Sequence, residues 1–223
     1  MQRISLYFTF TTLISILLLG SSFSLSAQSM SENYRKMVVK REIAVPAAQA
    51  WEALVLDYGE IANFSPFIYA SNYESGSLLG VEGAERRCNF NANGTRWSHE
   101  RIVWVDQENM LMKNIIVDAQ KFPLNLDNSY AIYSVVDNGD GTCTAGYEFN
   151  FRTKPAFMGG IAAGSFKKSL NETLIGLEHY LVTGEHVTGG SENANAVIGQ
   201  YKADGRYKDF EYSIEKIRVN SAR

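Results

Sequence analysis

The chain has little of what most enzyme chemistry requires. Three histidines are scattered through 223 residues, too little material for a Ser-His-Asp arrangement or a histidine metal site. The two cysteines, Cys88 and Cys143, have no Cys or His neighbour at ligand spacing, so no metal site is expected. A phosphate-binding loop, a dinucleotide fingerprint, an HExxH pair and a nucleophile elbow are all missing, and no cofactor is called for. Positive charge is not in excess either: 21 Lys and Arg against 24 Asp and Glu give a net charge of −3. That balance argues against nucleic acid as a partner, because neutralising a phosphate backbone takes clustered basic residues.

Beyond the N-terminus no apolar run is long enough to cross a membrane. Residues 1–27 have the order of a secretory signal: Arg3 at the start, an uncharged apolar run over 6–20, then small and polar residues ending at Ala27. The expected mature chain begins near Gln28, is secreted or periplasmic, and keeps no membrane span after processing. Export permits disulfides. Cys88 and Cys143, however, fall on strands far apart in the expected sheet, so two buried free thiols are expected. With 45% hydrophobic and 20% charged residues, the remainder reads as one globular domain with appendages.

Residues 37–45 alternate as a strand that Pro46 ends. Residues 47–56 place Ala50, Trp51, Leu54 and Val55 on one helical face, and 59–63 form a second short helical turn before Ser65-Pro66. Strands follow at 67–74, 84–90, 96–105, 110–118, 128–136 and 142–152. Asn93-Gly94 predicts a tight hairpin with both residues at positive φ, and 137–141 (DNGDG) predicts another. In the last strand Cys143, Ala145, Tyr147, Phe149 and Phe151 share a face. Residues 157–183 have helical spacing, with Ile161, Phe166, Leu170, Leu174, Leu177 and Leu181 as the apolar stripe. The small residues at 159–165 serve either close packing on the sheet or space for a ligand. Gly184 caps the helix. Residues 37–185 then form one domain, and 186–223 a linker and C-terminal tail. Within it 188–196 is a Gly/Ser/Asn linker, and the rest is either a disordered or loosely docked tail or adds a strand over 207–219. The order is α+β, and such a sheet can curl around the long helix and leave a cavity.

Four stretches carry a resemblance. VPAAQAWEALVLDYGEIANFSPFI, GVEGAERRCNF, SHERIVWVD and LIGLEHYLVTGE occur in the order seen in the START-related, Bet v 1-like superfamily. They are similar to its polyketide cyclase/dehydrase and lipid-transport branch. The resemblance covers about residues 37–185. It implies a helix-grip fold: a seven-stranded antiparallel sheet wrapped around a long C-terminal helix, with two short helices after the first strand and an apolar pocket inside. It does not imply one function, since members bind lipids, hormones or polyketides, and some are enzymes or protein partners.

A pocket of this kind is mostly apolar with a few fixed polar groups. Tyr147 and Phe149 on the last strand, and Phe166, Leu170 and Thr173 on the helix, are the candidate ligand-binding residues. Plain core packing is the alternative for each. Glu100 matches the acid that many members of the superfamily point into the cavity, and Arg86 matches their strand arginine. A carboxylate there needs a raised pKa or a cation beside it, and a structural ion pair between strands is the alternative. Glu100 is also the candidate catalytic group. His99 adjoins it, but strand alternation sends the two to opposite faces. Asp118 and Asp127 bracket the KFPLN loop, which the resemblance places near the pocket mouth.

Three functions fit. The chain binds a small apolar or amphipathic molecule, lipid- or polyketide-like. Or it is a cyclase/dehydratase-type enzyme using Glu100 for acid–base work, with a tyrosine such as Tyr147. Or it is an accessory protein whose partner is an exported enzyme.

Overall fold

The computed structural model describes residues 32–219. The expected signal at 1–27 lies outside them. β1 (Glu32–Ile43) leads through Pro46 into α1 (Ala47–Trp51), which continues as one wider turn over Glu52–Leu56. A 3-10 segment, Tyr58–Asn63, follows. The buried positions of this pair include Ala50, Trp51, Leu54 and Val55, the face that the spacing predicts. Then come β2 (Ala70–Tyr73), β3 (Glu85–Asn89), β4 (Trp97–Asp106), β5 (Leu111–Gln120), β6 (Tyr130–Asp137) and β7 (Cys143–Phe151). The long helix α2 spans Gly159–Thr183 and ends at Gly184, whose φ of +77° needs the left-handed freedom of glycine.

All strand pairs are antiparallel, in the order β2-β3-β4-β5-β6-β7-β1-β8. The eighth strand is the departure from the seven expected. β8 (Glu211–Val219) comes from the C-terminal stretch and pairs along β1, with Lys36 opposite Glu215. The supposed linker is also structured. Ser191 caps α3 (Glu192–Ala203), its hydroxyl accepting from the Ala194 amide at 3.1 Å. Val197, Ile198 and Tyr201 of α3 then pack on Ile175 and Val187.

α2 is therefore buried on two sides. Leu174 and Leu177 face the sheet, while Ile175 faces α3. Gly176 lies against the main chain of Phe64, where a Cβ would meet the carbonyl oxygen. Ile161 does not join the stripe and is 73% exposed. The buried positions of the first turns are Gly159 and Ala163, one helical turn apart, and Ile161 is on the other side of the cylinder. Gly159 sits against the Arg35 side chain, so the small residues there serve close packing at this point.

The Asn93-Gly94 turn also differs from expectation. Residues 90–96 form a longer loop in which Gly94 alone takes positive φ, at +63°. The Asn93 side chain instead accepts from the Thr95 hydroxyl at 2.8 Å and from its amide, a local turn that leaves Asn93 unstrained. Cys88 and Cys143 are buried free thiols on β3 and β7, with three strands between them.

Leu174 is fully buried at the junction of helix and sheet. Leu174→Ala should destabilise by about 2–5 kcal/mol, the usual cost of emptying such a site. Urea unfolding measures it; a change below about 0.5 kcal/mol, the range for surface substitutions, contradicts this packing.

Candidate functional site

Between the sheet and the middle of α2 lies a cavity of about 250 Å³, a little below the usual range of ligand pockets. The helix supplies Ser165, Phe166, Ser169, Leu170 and Thr173, at spacings that keep one face inward. Strand alternation supplies the rest: Arg86 from β3, Glu100 from β4, Asn114 and Ile116 from β5, Tyr133 from β6, Tyr147 and Phe149 from β7. The candidates Arg86, Glu100, Tyr147, Phe149, Phe166, Leu170 and Thr173 all line this one space. Phe151, on the same face of β7, is instead buried beside it in the core.

One end of the cavity is aromatic. Phe90 stacks on Phe122 at 5.1 Å, Phe122 meets Phe166 at 6.5 Å, and Phe166 packs edge-on to Phe149 at 5.0 Å between centroids. Arg96 is exposed at the rim, over the Phe90 ring. Phe122 belongs to the KFPLN loop, so that loop does border the cavity. Ser65 and Thr173 satisfy each other through a 2.9 Å hydroxyl pair.

The other end is polar and fully organised. Arg86 and Glu100 are direct cross-strand partners. Nε and Nη2 of Arg86 both donate to Oε2 of Glu100, at 3.0 and 2.7 Å. Nη2 also donates to the Tyr133 hydroxyl at 2.8 Å, and Nη1 to the Tyr58 carbonyl at 2.8 Å. The guanidinium lies 3.9 Å from the Tyr58 ring centre. Glu100 also accepts from Asn114 Nδ2 at 3.0 Å and from Ser98 Oγ at 2.7 Å. Arg86 is 1% exposed and Glu100 9%, so neither charge would be tolerable without the other. Burial works against the Arg86 charge, but Tyr133, Glu100 and Tyr58 outweigh it and hold the guanidinium firmly protonated.

His99 takes no part, although the β4–β5 register shifts between it and Glu100. It points to the outer face and meets Glu85 at 2.8 Å. His179 lies near the end of α2 and meets Glu185 at 3.2 Å.

Sequence reasoning missed Tyr133, Asn114, Tyr58 and Ser98. A signal existed for Asn114. It sits between Met112 and Ile116 at an inward position of an alternating strand, where a polar residue needs a partner. Tyr133 carried no such mark, since a tyrosine suits any strand face.

The Tyr147 hydroxyl is the exception in this network. It is buried and has no hydrogen-bond partner among the described residues. Burial raises the pKa of Tyr147 and Tyr58 well above the usual phenol value and that of Tyr133 to about 12. A folded-state pKa raised above the unfolded value gives stability that is complete below pH ~10 and falls as pH rises beyond it. Tyr147→Phe removes an unpaired hydroxyl. It should leave stability at pH 7 unchanged or higher, and reduce the alkaline loss by about 1.4 kcal/mol per pH unit above 10. Urea unfolding at pH 7 to 11 decides; parallel curves for the two proteins contradict the assignment.

The family described as polyketide cyclase / dehydrase and lipid transport matches residues 34–182. The chain belongs to that family, and its fold is the helix grip. Solved structures share the fold at low identity. Ara h 8.0201 is 18% identical with a TM-score of 0.55, over 67% of this chain and 99% of that one. Norcoclaurine synthase from Thalictrum flavum, solved with dopamine and hydroxybenzaldehyde, is 15% identical with a TM-score of 0.53, over 81% and 97%. XoxI from Bacillus cereus is 18% identical with a TM-score of 0.51, over 68% and 98%. No curated protein matches the chain in sequence. Among the described residues no helix is long and apolar enough to cross a membrane.

Proposed function

We propose that the protein is an exported carrier or receptor for one small, mainly apolar molecule with a polar end, held between the sheet and α2. The observation that carries this reading is the two-ended cavity: an aromatic rim leading to a preorganised polar floor around Arg86 and Glu100. Membership of a family described in terms of polyketides and lipid transport supports it. The state of Glu100 favours binding over acid–base catalysis. Its carboxylate accepts four hydrogen bonds, three of them on Oε2, which about fills its acceptor sites and commits it to the protein's own donors. Leu170→Trp fills the cavity from the helix side. The wild type should bind N-phenyl-1-naphthylamine saturably at one site, and the variant should not. Equal fluorescence enhancement by both proteins would remove the cavity from the account.

Export rests on the order of Arg3, the apolar run and the small residues before Gln28. N-terminal sequencing of extracytoplasmic material should give a start near Gln28. Cytoplasmic protein beginning at Met1 contradicts it.

A further inference from the structure

The deep end of the cavity has polar groups but, among the described residues, no unpaired charge. Arg86 is neutralised by Glu100 at 2.7 Å, and the Arg86 donors point to Glu100, Tyr133 and the Tyr58 carbonyl. A carboxylate or ammonium brought to that depth would lose its water and meet no free counter-charge. The other charged lining residue, Arg96, is exposed at the rim.

Hydroxyl protons are what remains for a ligand. Tyr133 accepts from Arg86 at 2.8 Å, which leaves its own O–H to donate, and none of the described residues accepts it. A guanidinium bonded to the phenol oxygen polarises the O–H and strengthens it as a donor. Tyr147 is the direct cross-strand partner of Tyr133, and the two rings meet edge to face with centroids 4.7 Å apart. Its hydroxyl is buried and without a partner among the described residues. Two neighbouring phenols in the lining of one cavity therefore have protons to give.

We propose that Tyr133 and Tyr147 form a clamp for a neutral acceptor oxygen, so that the ligand is an apolar carbonyl compound (a ketone, ester or quinone) rather than a fatty acid or an amine. This rests on the binding reading above and narrows it. The aromatic rim from Phe90 to Phe149 suits a flat ring system.

Three probes of one shape separate the cases: 2-acetylnaphthalene, 2-ethylnaphthalene and 2-naphthoate, titrated calorimetrically into the full chain at pH 7. The ketone should bind about tenfold more tightly than the hydrocarbon, the worth of a well-made hydrogen bond, and the carboxylate should bind most weakly. Tyr147→Phe should shrink the ketone's advantage over the hydrocarbon, read as the ratio of the two affinities within the variant. Tyr133→Phe should act in the same direction, with near-ultraviolet circular dichroism confirming that both variants are folded. A ketone no better than the hydrocarbon, a carboxylate that binds best, or a ketone advantage that survives both substitutions overturns the clamp and leaves the binding reading standing. If none of the three probes binds, the binding reading itself fails, and the clamp with it.

Discussion

Replacing Arg86 by methionine should cost about 3–5 kcal/mol of stability, the usual result of leaving a buried charge without its partner. Glu100 would keep Ser98 and Asn114 as donors but lose both Arg86 contacts. Tyr133 and the Tyr58 carbonyl would each lose a hydrogen bond as well. The damage should be largely repaired by Glu100→Gln in the same chain, because the uncompensated charge then disappears. A double-mutant cycle by urea unfolding measures this coupling. Additive single effects would show that the pair is incidental to the fold. A cycle in which the double variant recovers most of the loss places the pair at the centre of the cavity floor.

Ending the chain at Glu185 should be at least as damaging, with a loss above about 4 kcal/mol, beyond what single substitutions ordinarily cause. Glu178 of α2 is 4% exposed, and its carboxylate accepts from the Tyr201 hydroxyl and from Arg206 Nη2, both at 2.8 Å. Arg41 of β1 is buried beside it and donates to the Arg206 carbonyl at 2.8 Å. A chain lacking residues after 185 would leave this pair without those contacts, bare the apolar face of Ile175, and turn β1 into an open edge. Glu172 would also lose the Tyr207 hydroxyl. Thermal and urea unfolding of the shortened chain measure the effect. Cooperative unfolding at the midpoint of the full chain would mean that α3 and β8 merely rest on a complete domain.

The contrast between these two sites shows what the sequence makes legible. Strand alternation around Glu100 and along residues 143–151, with the resemblance to the superfamily, is enough to bring Arg86, Glu100, Tyr147 and Phe149 to one face. The long-helix spacing does the same for Phe166, Leu170 and Thr173. These are local periodicities, and burial follows them directly. The C-terminal stretch is different. TGGSENANA has the composition of a linker, and its residues are poor helix formers apart from alanine and glutamate. α3 exists because Ser191 caps it and because Val197, Ile198 and Tyr201 find Ile175. Tertiary packing outweighs propensity there. The hint was on α2 itself: Ile175 lies off the stripe and Glu178 interrupts it, which together mark a second covered face. The closing of the Arg86 network by Tyr133 depends on which strands become neighbours, and alternation within one strand does not carry that information.

The central claim is that the cavity holds a small molecule in the protein's working state. Native mass spectrometry of the protein purified from its own host tests it most directly, beside the Leu170→Trp variant prepared identically. The wild type should carry a single additional small-molecule mass, released on denaturation, and the variant with the filled cavity should lack it. A wild type of bare polypeptide mass, or the same additional mass on both proteins, would contradict the account.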